Sequence, residues 1–154
     1  MLLITLIGVP VTRAETPEQW VALLTRVHGG FGSFLPVGIL IGEDAMKRLN
    51  AKPRELDVTF YQRYAMPLRR RWRKPCGLCQ RCSGHSSYRA GEIAARHLAV
   101  VIIKPRKGGE GLKYTVPMSV MPKLGQINST IPNPLGRYDA VMAIQDLYTV
   151  EPSR

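Results

Sequence analysis

Helix-patterned residues early in the sequence, with strand-patterned residues after them, predict an α+β fold of two early helices packed on a small antiparallel or mixed sheet. Apolar residues recur at helical spacing as far as Leu49, whereas from Leu56 onward alternating and continuous apolar runs take over. A chain of 154 residues fits one domain and is short for two, and 45% apolar content is that of a globular protein. No apolar run reaches the roughly 18–20 residues of a membrane-spanning helix. With 3 Cys, a fold built on disulfides is excluded. No fixed-period repeat is present, which excludes a solenoid.

Each element has its own signal. Met1 to Val11 is apolar and ends in Thr12-Arg13-Ala14, so residues 1–14 read as an export signal cut after Ala14. The single domain is then 15–154; the alternative is that the apolar run is a buried first strand. Thr16-Pro17-Glu18-Gln19 has the residues of a capping box with Pro at the first helical position. Trp20, Leu23, Leu24 and Val27 follow on one face, and Gly29-Gly30 stops the helix after His28. A second helix is expected from Pro36 to Leu49, closed by Asn50 and Pro53. Its Gly38 and Gly42 leave two bare positions on one face for close approach of another element. Leu56 to Tyr64 alternates as a strand, and Leu98 to Ile103 is a continuous apolar strand. Gly108 to Gly111 is a hairpin turn into Leu112–Val116. A short helix over Val120–Ile127, a loop over Asn128–Pro134 and a last strand over Asp146–Val150 complete the reading.

The charge is concentrated. Net charge is +11, from 22 basic and 11 acidic residues, and eight of the basic ones fall between Arg63 and Arg89 with no acidic residue among them. Arg69, Arg70, Arg71, Arg73 and Lys74 form the densest part, a footprint suited to phosphate groups. The alternative is a solvated basic loop. Within the same stretch, Cys76, Cys79, Cys82 and His85 put four soft or borderline donors close together, beside cations that favour thiolates. That donor set suits zinc. Its spacing is tighter than that of ordinary zinc fingers, and an exported chain could instead hold one disulfide and one free thiol. His28, beside two glycines, reads either as a ligand in an open pocket or as a helix-terminal His on the last carbonyls.

Taken together, Val27-His28-Gly29-Gly30-Phe31-Gly32, Gly38, Gly42, the segment Lys113–Leu124 and Leu135–Ala143 resemble the formylmethanofuran dehydrogenase E-subunit family, in an exported bacterial branch. The resemblance implies an accessory metal-binding protein, not a catalytic component, with His28 matching the family's first His. Gly30 stands where that family has a second His, and Gly32 and Ser33 where it has Cys and Pro. The basic stretch 63–92 departs furthest from the family. The same break in composition is what translation in a slipped frame would leave, and the coding DNA between Tyr61 and Leu98 distinguishes the two.

The sequence therefore predicts an accessory or metal-binding protein, periplasmic or otherwise exported (cytoplasmic if residues 1–14 are not cleaved), with zinc held by Cys76, Cys79, Cys82 and His85, and His28 as a further ligand. The rival from another class is a zinc-knuckle-like module that binds nucleic acid through Arg69–Lys74. A third reading, an enzyme using His28, has no nucleophile motif to support it, and no catalytic residue is assigned.

Overall fold

The first helix, α1 (Pro17–His28), begins where the capping residues place it. Gln19 N–H donates to the Thr16 hydroxyl at 3.3 Å, and Thr16 N–H donates to Gln19 Oε1 at 2.9 Å. Gly29 ends α1 in the left-handed conformation, φ 84°, its N–H donating to the Thr25 carbonyl. The structure is a computed structural model that describes residues 15–62, 83–89 and 96–153. The expected signal segment 1–14, the Cys triplet as a set and the Arg69–Lys74 cluster lie outside the described residues.

Helix α2 (Phe34–Arg48) starts earlier than the sequence suggested. Pro36 does not begin it but sits within its first turn, where a missing N–H has no helical acceptor to leave unpaired. Asn50, at φ 47°, turns the chain out of α2 as expected.

The strands are β1 (Leu56–Gln62), β2 (Ser83–Arg89), β3 (His97–Pro105), β4 (Gly111–Pro117) and β5 (Thr149–Ser153). They form one sheet in the order β2-β1-β3-β4-β5. The pairs β1–β3, β3–β4 and β4–β5 are antiparallel, and β2 lies parallel to β1 at the edge, so the sheet is mixed. A parallel neighbour needs a long return connection, and residues 63–82 are long enough to make it. The β3–β4 hairpin turns through Gly108 and Gly109 at φ 88° and 115°, conformations that favour glycine. At the opposite edge, Pro152 in β5 removes one backbone donor and blunts further strand pairing.

After β4 the chain passes through a 3-10 turn (Met118–Val120) into α3 (Met121–Thr130) and then α4 (Pro134–Met142). The expected loop over Asn128–Pro134 is only Ile131–Asn133, and α4 adds a helix that the sequence pattern does not reveal. Its start signal sits at the end of that stretch: Asn133 caps by accepting from Leu135 N–H at 3.1 Å, and Pro134 takes the first position. The last strand begins at Thr149 and not at Asp146, because Asp146 adopts φ 58° and turns the chain first.

Two apolar clusters result. Val37, Ile41 and Ala45 of α2 pack on Leu56, Val58, Val101, Ile103, Tyr114 and Val116 of the sheet, with Leu124 and Val141 closing the side. Trp20 and Leu24 of α1 join Phe31, Leu35 and Ile39 with Tyr138 of α4. Helix α2 is thus covered on two sides, which explains its near-continuous apolar run and the burial of Gly38 and Gly42. Among the described residues, no helix is long and apolar enough to cross a membrane.

Candidate functional site

Of the predicted ligands, His28 and His85 lie among the described residues, on different elements. His28 is the last residue of α1 and half-buried, and desolvation holds its imidazole below the ordinary histidine pKa. His85 belongs to the edge strand β2, at the register position opposite Asp57 of β1. Among the described residues, no group of three His, Cys, Asp or Glu side chains is placed to hold a metal ion. Cys76, Cys79, Cys82 and Arg69, Arg70, Arg71, Arg73 and Lys74 fall outside those residues.

The glycine turn after His28 is tied to the C-terminal helices. Arg137 of α4 donates to the carbonyls of Phe31 at 2.8 Å, Ile131 at 2.6 Å and Asn128 at 3.2 Å. The hydroxyl of Ser33, fully buried, donates to the Leu124 carbonyl at 2.8 Å. One guanidinium with a rigid fork of donors therefore joins the turn, the end of α3 and the loop before α4.

Adjacent carboxylates on α2 face the two clusters. Glu43 accepts from the indole N–H of Trp20 at 3.3 Å, and burial raises its carboxyl above the ordinary glutamate pKa. Asp44 accepts from the Tyr114 hydroxyl at 2.9 Å and from Arg48 Nε at 2.7 Å, both on Oδ2. Tyr114 is fully buried, with Tyr148 edge-on at 5.4 Å between ring centroids. Desolvation first, and Asp44 second, push its phenol far above the ordinary tyrosine pKa. Tyr114 donates its hydroxyl hydrogen to Asp44 as a polar pin between sheet and helix.

Where β3 begins, β4 ends and β5 begins, an open groove of about 450 Å³ is lined by Arg96, His97, Thr115, Pro117, Met118, Ser119 and Thr149. Its framework is backbone: His97 pairs with Pro117, Thr115 with Thr149, and Met118 N–H donates to the Arg96 carbonyl at 2.7 Å. Arg96 Nε donates to His97 Nε2 at 3.3 Å. No motif in the sequence marks these residues. Arg96 and His97 precede the apolar β3 run and look like a polar strand end, and the hydroxyls lie on three separate elements that only the sheet gathers. No protein-family model and no curated protein matches this chain.

Proposed function

We propose that this protein is an exported accessory protein that binds zinc through Cys76, Cys79, Cys82 and His85, with the accessory role that its resemblance to the formylmethanofuran dehydrogenase E-subunit family implies. The observation that carries the reading is the donor spacing: three thiols at regular intervals, followed at once by an imidazole, within a run of cations that favours thiolate. His85 lies in a strand paired to β1, a more rigid setting for a ligand than a free loop, and Asp57 stands at the register position beside it. The resemblance supports a role as an accessory to another protein. Full-length protein should retain about one equivalent of zinc by elemental analysis, released on acidification as the ligands protonate. Cys79→Ser should lower that occupancy. Metal-free protein that also fails to take up added zinc would overturn the reading.

A second reading, a nucleic-acid-binding module, draws on a feature of the sheet. Lys52, Arg54, Arg106 and Lys107 lie on two loops joined by the Arg106 N–H to Glu55 carbonyl bond of 2.9 Å. Ser83, the first residue of β2, pairs with Leu56 at this same end. Such a module binds single-stranded nucleic acid with affinity that falls steeply as salt rises, and neutralising Arg69–Lys74 lessens that slope. Binding that is absent or insensitive to salt rejects this second reading.

A further inference from the structure

We propose that the groove between the start of β3, the end of β4 and the start of β5 is a binding site for a small organic oxyanion, a carboxylate or phosphate monoester with an apolar body. It is independent of the zinc reading and shares no residue with it.

The lining carries one guanidinium and three hydroxyls on a mostly apolar surface and contains no carboxylate. Arg96 supplies a permanent positive charge, and His97 Nε2 beside it accepts from Arg96 Nε. Thr115, Ser119 and Thr149 contribute three hydroxyls, none of which makes a side-chain hydrogen bond to another described residue. Thr115 is only 9% exposed and lines the groove. Polar groups in such a position are satisfied by solvent or by a ligand. A ligand that only accepts matches them, since a hydroxyl and a guanidinium can all donate at once. Carboxylate and phosphate oxygens are such acceptors.

The remaining wall is apolar. Pro117 and Met118 give the groove one surface that water solvates poorly, suited to the hydrocarbon part of the ligand. The volume, about 450 Å³, falls within the roughly 300–1,000 Å³ of small-molecule sites. Position is fixed before any ligand arrives. Val100, Thr115 and Thr149 form one row across three paired strands, and the Met118 to Arg96 backbone bond holds the 3-10 turn over the start of β3. A site built on strands keeps its donors in register without closing around the ligand.

The test is a titration of full-length protein, followed by amide NMR, with three probes: inorganic phosphate, phenyl phosphate and benzoate. Saturable binding of phenyl phosphate or benzoate is expected, with shifts at Thr115, Ser119 and Thr149, and with phenyl phosphate tighter than inorganic phosphate because of Pro117 and Met118. The stronger of the two aromatic probes tells phosphate from carboxylate preference. Arg96→Gln should weaken binding about tenfold, the usual cost of losing a charge-assisted hydrogen bond. Thr149→Val should weaken it less, and Arg26→Gln, exposed on α1, should leave it unchanged. These are surface positions, and retained circular dichroism confirms that each variant folds. Three results overturn the assignment: no saturation by about 10 mM, well above the usual range for a specific small-molecule site, equal loss in Arg96→Gln and Arg26→Gln, or shifts confined to the basic segment.

Discussion

At the scale of single residues, the Asp44–Tyr114 pair has the clearest consequence. Tyr114→Phe removes the hydroxyl but leaves Asp44 bonded to Arg48, so the expected loss is about 1 kcal/mol of unfolding free energy. Asp44→Ala leaves a buried phenol without its acceptor and should cost more, about 1–3 kcal/mol. Urea unfolding of both variants checks the order. Glu43 gives a pH signature. Its folded-state pKa is raised by burial, so the folded protein holds its proton more tightly than the unfolded chain. The stability this contributes is present below the ordinary glutamate pKa and is lost as pH rises through the raised value. Glu43→Gln keeps an acceptor for Trp20 and should flatten that decline, read as unfolding midpoints across pH from about 4 to 7. His28 works in the opposite sense. Its folded pKa is lowered, so stability rises with pH up to the ordinary histidine value, and His28→Ala should remove that rise.

At the scale of elements, three glycines separate backbone conformation from space. A methyl group on Gly111 would lie 2.6 Å from the Ile103 carbonyl oxygen and would push β4 off β3 where the hairpin begins. Gly111→Ala should therefore destabilise by about 1–3 kcal/mol. Gly125 lies inside α3 and is exposed, and a methyl there meets nothing within 4 Å. Gly125→Ala should stabilise by up to about 1 kcal/mol, from helix propensity alone. Gly29 is a third case: a methyl meets nothing, but φ 84° penalises any side chain by about 1 kcal/mol. Thermal or chemical unfolding of the three alanine variants should give that order. The elements differ in how far sequence revealed them. Helix α1 carries its own start and stop in Thr16, Gln19 and Gly29, whereas α4 is short and buries only Tyr138 and Val141, each in a different cluster. Its periodicity is too brief to read, and it is held by neighbours, above all through Arg137.

At the scale of the whole molecule, the proposed zinc site and the proposed export bear on each other, because an oxidising compartment favours a disulfide over free thiolates unless a metal holds them. Expressed with its native upstream codons, the protein is expected to begin at Glu15 after export, which N-terminal sequencing checks. Retention of Met1 in a cytosolic fraction would overturn the export proposal.

The sequence by itself determined the α+β class, the caps of α1, the position of α2 within a few residues and the apolar strand of β3, because each is written in local spacing and in residues with one strong backbone preference. It also supplied the Cys76–His85 donor set, which is contiguous. Tertiary structure alone decided the parallel placement of β2, the helix α4, the two-sided burial of α2 and the groove. These depend on residues far apart in the chain, such as Arg96 with Ser119 and Thr149, or Arg137 with Phe31. No local pattern encodes such meetings. Burying both faces of α2 brings α4 and the sheet together, and the pairing of β3, β4 and β5 then gathers three hydroxyls and a guanidinium into one site.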